Sequence, residues 1–233
     1  MRLIAVLVVA GATALAVFVA PAGATNECRG LQVCVHVAGP WVVVPRGETT
    51  PRPRVEYELS CPKNYIVGGL DAELTDRAID VSFQGLIGAP VNPGITTSRA
   101  ALFVATSAHT LSAGATFRPH IGCLPASGGG GRIPTVAHVS VVPPGHPDTR
   151  RVTLVRVAPG TKKVTKSCAA GETLVSATHA VGFYTAKPPV ASLVSSVTAS
   201  QKISRNSVTV TVKAAPGVSS AIVQIDLTCG GGA

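Results

Sequence analysis

Two stretches of this 233-residue chain, residues 55–123 and 161–229, share one pattern, and each contains its own pair of cysteines. The four cysteines involved are Cys61, Cys123, Cys168 and Cys229. The lengths enclosed by the two pairs differ by a single residue. Counted back from the second cysteine of each pair, the last 26 residues align without a gap and place Leu102 on Val208. The pattern predicts an internal duplication, in which one small module is built twice.

The residues after position 25 are typical of β-structure, because Val, Thr and Ser recur at period two between Gly and Pro breaks. Residues 208–212 are the clearest strand, with Val on one face and Thr on the other. The best candidate for a helix is the short segment 71–79, capped by Asp71, and a turn-rich connection is its alternative. The fold class predicted is all-β, with two tandem immunoglobulin-like antiparallel β-sandwich modules related by internal duplication. The Trp expected near each disulfide is missing, so this describes an architecture and not a family.

The pattern divides the chain into six segments. They are a signal peptide (1–24), an N-terminal strand segment with a Pro/Arg-rich connection (25–54), module 1 (55–123), a Gly/Pro-rich linker (124–149) containing a strand at 135–142, module 2 (150–229), and a flexible tail (230–233).

The first residues have the features of a secretory signal. Arg2 supplies the positive charge, an apolar run follows, and Ala22-Gly23-Ala24 fits the cleavage site. The alternative is a transmembrane anchor, since the apolar run is almost long enough to cross a bilayer. The sequence predicts an exported protein, secreted or associated with the cell surface, with no integral membrane span after signal cleavage.

All six cysteines follow the signal, which favours disulfides in an oxidising compartment. Six cysteines allow 15 pairings, and the repeat selects one of them. The selected pairs are Cys28–Cys34, Cys61–Cys123 and Cys168–Cys229. A structural zinc site is the alternative, but the chain has no C-x-x-C motif to supply closely paired ligands.

Charge is unequal along the chain, whose formal net charge is +9. Residues 124–233 hold eleven basic and three acidic side chains. A basic cluster opens module 2 and is the predicted polyanion-binding site: Arg150, Arg151, Arg156, Lys162, Lys163 and Lys166. For an exported protein, an anionic envelope polymer is the candidate partner of this cluster, whereas a solvated basic face that keeps the protein soluble is the favoured alternative. Nucleic acid is not expected, because no aromatic-interleaved basic motif occurs.

One string resembles a known kind of module. Residues 60–69 (SCPKNYIVGG), followed by residues 79–83 (IDVSF) and a closing cysteine, are similar to modules of exported actinobacterial proteins of unknown function. The resemblance covers most of the chain after the signal. It implies the module and the compartment, and that group has no established active site to transfer.

No catalytic or metal-binding motif stands out. G-x-S-x-G, H-E-x-x-H, P-loop and dinucleotide-binding patterns are absent. Four acids in the first module form a solvated loop, or alternatively a calcium or carboxylate site: Asp71, Glu73, Asp76 and Asp80. Six histidines are scattered, and His120 falls on the outward phase of its strand. We therefore expect no catalytic residue, no metal and no cofactor.

These observations favour a non-enzymatic, exported cell-envelope protein, a tandem β-sandwich used for binding or assembly. Module 2 would contact anionic wall polymers. Self-assembly is a variant, in which residues 33–44 and 135–142 add to the sheet edge of another copy, and pairing of both segments within the chain is favoured over it. A secreted hydrolase with a loop-built site and a protease inhibitor presenting Arg29 are the other function classes considered.

Overall fold

The computed structural model describes residues 26–31, 33–47, 51–84, 99–107, 111–126 and 149–231. The signal segment 1–24, the predicted strand 135–142 and most of the linker lie outside these residues. The strands are β1 (Val35–Ala38), β2 (Trp41–Val43), β3 (Arg54–Ser60), β4 (Tyr65–Leu74), β5 (Ile79–Gln84), β6 (Ala100–Ser107), β7 (Thr116–Pro125), β8 (Thr149–Arg156), β9 (Gly160–Ser167), β10 (Glu172–Phe183), β11 (Val197–Ser204), β12 (Ser207–Ala214) and β13 (Ala221–Gly231), and the helix is α1 (Ala191–Ser195).

The prediction of an all-β, antiparallel protein is confirmed for the described residues. Seven strands form one sheet in the order β4-β7-(β1, β2)-β10-β13-β8, where β1 and β2 follow each other along the same side of β7. Two three-stranded sheets have the orders β3-β6-β5 and β11-β12-β9. The chain has two halves, β1 to β7 and β8 to β13, and in each the last strand lies inside the large sheet. β7 lies between β1 and β4, and β13 lies between β8 and β10.

The two small sheets cover opposite faces of the large one. Val42 and Val44 belong to the first apolar core, together with Ile222 from β13. Val43 packs against the second core, which contains Val223. Neighbouring residues of a strand point to opposite faces, so one continuous sheet supplies a wall to both cores. The architecture is therefore sandwich-like in each half.

The N-terminal strands pair within this chain. β2 is bonded to β7 on one side and to β10 on the other, and β1 is bonded to β7. Trp41 lies in this shared strand at 3% exposure, with the guanidinium of Arg118 5.7 Å from its ring centroid. Residues 35–43 therefore join the two halves, which is the alternative to pairing with another subunit.

Two local expectations are wrong. Residues 71–79 form no helix, because 71–74 continue β4 against β7 and a turn leads into β5. The gapless alignment of the halves matches core positions in β7 and β13 but fails one strand earlier. Val208 faces the second core, whereas Leu102 lies on the face of β6 opposite Phe103. Shifting the alignment by one residue there would bring Phe103 onto Val210.

All six cysteines form disulfides, and the pairs are those that the repeat selects: Cys28–Cys34, Cys61–Cys123 and Cys168–Cys229. Cys61 and Cys168 each directly follow a strand of a small sheet, and their partners lie in the central strands β7 and β13. Each long disulfide therefore fastens a small sheet to the large one across an apolar core.

Candidate functional site

The outer face of the β11-β12-β9 sheet carries only Ser, Thr and Lys side chains in its register. Cross-strand partners build four rows: Ser167–Ser207–Ser204, Thr165–Thr209–Lys202, Lys163–Thr211–Ser200 and Thr161–Lys213–Thr198. Nine of the twelve residues bear hydroxyls and three are lysines, with no acid and no apolar side chain. We call these twelve residues the hydroxyl–lysine face.

Strict alternation in the sequence produces this face. In β12, Val208, Val210 and Val212 point into the second core, so Thr209 and Thr211 point the other way. Threonine suits a half-exposed strand because its branched β-carbon packs well on a pleated surface. The hydroxyls of Thr165 and Thr209 lie 2.9 Å apart across neighbouring strands and form a hydrogen bond.

The chemistry of this face suits a polyhydroxylated anion. Each hydroxyl can donate one hydrogen bond and accept others, and each ammonium offers three donors and a positive charge. Lys163, Lys202 and Lys213 are all exposed and belong to three different strands. Because strands lie about 4.8 Å apart and side chains on one face repeat every second residue, the face is a regular array of polar groups.

The structure separates the six predicted basic residues. Lys163 lies in the hydroxyl–lysine face. Lys162 and Lys166 lie on the other face of β9, in register with Val212 and Val208. Those two flank Val164, which packs against the second core. β9 is an edge strand, and lysines on an edge oppose pairing with a foreign strand. Arg156 is exposed at the end of β8.

Arg150 is unavailable to a polyanion, because its side chain is 7% exposed and bound to two acids. Its Nη2 lies 2.6 Å from an oxygen of Glu56, and its Nε lies 2.5 Å from an oxygen of Asp226. Both carboxylates are also buried. This triad joins β3 of the first half to β8 and β13 of the second.

Arg151 is also committed to a partner within the chain. Its guanidinium forms a bidentate ion pair with the Glu172 carboxylate, with N···O distances of 2.6 and 2.7 Å. The pair lowers the pKa of the Glu172 carboxyl below its usual range, and the N–H of Ala169 contributes to the same shift. The predicted polyanion cluster is therefore not one surface, and the lysines of the neighbouring sheet are the better candidates.

Gln224 closes the junction between the halves. Its side chain accepts a hydrogen bond from the N–H of Glu58 at 2.7 Å and donates one to the carbonyl of Glu58 at 2.9 Å. A cleft of about 630 Å³ opens beside this pair, and its lining includes Tyr57, Tyr184 and Leu154. The amide replaces a partner strand at the free edge of β3.

Glu58 provides a pH-dependent prediction. Burial, followed by the nearby charge of Asp226, raises the pKa of its carboxyl above the usual value, while Arg150 and Ser60 oppose the shift. The unfolded chain therefore loses this proton at a lower pH than the folded protein, and ionisation costs stability. We expect Glu58→Gln to raise the melting temperature at pH 7, and the gain to vanish below the ordinary glutamate pKa. Equal melting temperatures at pH 7 would contradict this.

The acids of the first half are held in separate contacts. Asp71 accepts a hydrogen bond from the N–H of Asn26 at 2.6 Å. Asp76 accepts bonds from Ser112 and Ala78, which lower the pKa of its carboxyl. Glu73 faces His120 at 3.2 Å. The prediction of a solvated acidic loop is therefore wrong for Asp71 and Glu73, which lie in β4, and these carboxylates contact neighbouring segments of the chain.

His120 lies on the outward phase of β7, as the sequence predicts, and is hydrogen-bonded to His36. It points away from the first core, but it is 2% exposed, because the N-terminal turn covers this side of β7. Burial lowers the pKa of its imidazole. Glu27 and His36 lie beside it. Their sequence separation hides this grouping, and only the pairing of β1 with β7 would have indicated it.

The sequence does not predict the hydroxyl–lysine face either, and Lys163 is the only one of its residues among the six predicted basic residues. The available signal was the alternation of Ser and Thr with Val through residues 197–213, which had indicated only a strand.

No protein-family model matches the chain, and neither the curated proteins nor the solved structures contain a significant match to it. The three disulfides indicate an oxidising environment such as the extracellular space. Among the described residues, no helix has the length and apolar character needed to cross a membrane.

Proposed function

We propose that this is an exported, non-enzymatic cell-envelope protein that binds an anionic envelope polymer through the hydroxyl–lysine face. The observation that carries the proposal is the composition of that face, in which all twelve cross-strand positions are Ser, Thr or Lys. A solvated face needs polar side chains of any kind. Restriction to hydroxyls and one sign of charge matches a ligand that is itself hydroxylated and negatively charged.

An extended polymer fits this face better than a small molecule does. The face is the polar outer surface of a sheet, whereas small ligands are held in concave, largely apolar sites. Its lysines are spread over β9, β11 and β12, so several charges of one chain can be met together. The ligand class is a polysaccharide that carries carboxylate or phosphate groups.

The corresponding sheet of the first half has different chemistry. The face of β6 opposite the first core consists of buried Ala100, Leu102 and Val104, and its neighbour β3 places Glu56 and Glu58 at the junction. The proposal therefore assigns polymer binding to the second half alone and a supporting role to the first.

We further propose that the two halves are immunoglobulin-like sandwich modules related by duplication. The support is the common order of strand pairing and the matching positions of the long disulfides. The proposal gives residues 33–44 no self-assembly role, since β1 and β2 pair inside the chain.

Replacing the three face lysines tests the proposal. We expect Lys163→Gln/Lys202→Gln/Lys213→Gln to weaken binding to polygalacturonate, a hydroxylated polycarboxylate, on the order of 100-fold at low salt. The reason is that each lysine near an anionic surface contributes about 1 kcal/mol. Binding is measured by isothermal titration calorimetry, with dextran as the neutral polymer.

The matched control is Lys162→Gln/Lys166→Gln, which removes lysines from the opposite phase of the same strand. The loss of binding free energy in this variant should be no more than half of the loss in the triple variant. The assignment of the face is overturned if the control and the triple variant lose affinity equally. It is also overturned if wild-type protein shows no binding to polygalacturonate.

A further inference from the structure

The side chains of Glu27, His36 and His120 form a group suited to a metal ion. The Nε2 atom of His36 lies 2.8 Å from an oxygen of Glu27 and 2.8 Å from Nδ1 of His120. The three possible ligand atoms all lie within 4.8 Å of one another. We propose that they bind one divalent transition-metal ion, with Zn²⁺ as the preferred ion. The site is independent of the polymer-binding face.

Hydrogen bonding alone does not fully satisfy this arrangement. An imidazole nitrogen carries either a proton or a lone pair, so Nε2 of His36 can donate to one neighbour or accept from one. It nevertheless has two close neighbours, a carboxylate oxygen and another ring nitrogen. A cation placed among the three atoms accepts a lone pair from each of them.

A second carboxylate stands where a metal-binding histidine needs one. With Nδ1 of His120 on the metal, its Nε2 carries the ring proton. That nitrogen lies 3.2 Å from an oxygen of Glu73. Metal-bound histidines usually direct their other N–H to a carboxylate or carbonyl, which fixes the ring and increases its basicity. In the structure the two atoms are within ion-pair distance without the alignment of a hydrogen bond, and we assign Glu73 as a positioning residue that aligns with this N–H when the metal is bound.

The backbone is shaped to bring Glu27 to the histidines. The carbonyl of Glu27 comes so close to Gly69 and Gly122 that a Cβ at those positions would lie 1.8 and 2.2 Å from its oxygen. Two glycines thus permit the N-terminal turn to sit directly on β4 and β7. The Cys28–Cys34 disulfide closes this turn.

The ligand types select the ion. Two imidazoles and one carboxylate are a common zinc set, and such three-ligand sites leave a fourth position for water. The side chain of His36 is 48% exposed, whereas that of Glu27 is 3% exposed, so the fourth position would open on the His36 side. Calcium and magnesium prefer oxygen ligands and do not match the two ring nitrogens.

Metal titration of the untagged full chain after chelator treatment tests the proposal. Calorimetry with Zn²⁺ should show one ion per chain, and Co²⁺ should give the visible absorption of a four-coordinate site. His36→Gln, at the half-exposed position, should abolish saturable binding without unfolding the protein. Glu73→Gln should weaken it by about 10–100-fold.

The matched control is His179→Gln, which alters a histidine hydrogen-bonded to Gln201 on the second half and should leave Zn²⁺ affinity unchanged. Circular dichroism verifies that each variant is folded. The proposal is overturned if wild-type protein shows no saturable site near one equivalent, or if folded His36→Gln binds Zn²⁺ as tightly as wild type.

Discussion

Arg150→Met is expected to lower the free energy of unfolding by about 3–5 kcal/mol, the usual cost of removing one partner from a buried ion pair. The substitution removes the counter-charge that Glu56 and Asp226 share, at 8% and 3% side-chain exposure, and leaves Glu56 with the exposed Arg54 3.0 Å away. Burial already raises the pKa of the Asp226 carboxyl, and Arg150 opposes that shift. Urea denaturation at pH 7 measures the loss.

Arg156→Met is the matched control, because Arg156 lies on the same strand and is exposed. A change within about 0.5 kcal/mol is expected there. A further variant, Glu56→Leu/Arg150→Met/Asp226→Leu, should recover most of the lost stability, since an apolar replacement of a whole buried group is often tolerated. If Arg150→Met unfolds at the wild-type urea concentration, the triad does not hold the halves together.

Removing the Cys168–Cys229 disulfide with paired alanines is the second large effect expected. Its two cysteines are 61 residues apart, and the loop-entropy relation gives a loss of about 4 kcal/mol. The same change at Cys28–Cys34, with a separation of 6, should cost about 2 kcal/mol. Urea unfolding without reductant compares them.

The order of these two losses is the informative result. A smaller loss for the Cys168–Cys229 pair than for the Cys28–Cys34 pair would show that chain entropy does not govern the contribution of these bonds. Wild-type protein treated with reductant provides the control, and it should unfold at a lower urea concentration than either variant.

The strands and disulfides could be predicted because they depend on local alternation and on cysteine spacing. Val208 to Val212 shows the alternation directly, and the nearly equal spacing of the long pairs selects their partners. Arg150 shows the limit of such reasoning. Its position among other basic residues indicated a charged surface, but its partners Glu56 and Asp226 are 94 and 76 residues away.

His120 shows the same limit from the other side. Its strand phase correctly placed it away from the first core, yet phase does not reveal what covers the second face of a strand. Here the cover is a turn that begins about ninety residues earlier and packs on Gly122. The sequence does not reveal the hydroxyl–lysine face for a related reason, since this face arises only when three strands come into register.

Cell fractionation tests the central proposal most directly. Wild-type protein should be retained at the cell surface at low salt and released by high salt, because screening weakens contacts between exposed charges. The Lys163→Gln/Lys202→Gln/Lys213→Gln variant should appear in the medium without added salt, while Lys162→Gln/Lys166→Gln should stay at the cell surface under the same conditions. Wild-type protein found free in the medium at low salt, or a triple variant retained as firmly as wild type, would contradict polymer binding through the hydroxyl–lysine face.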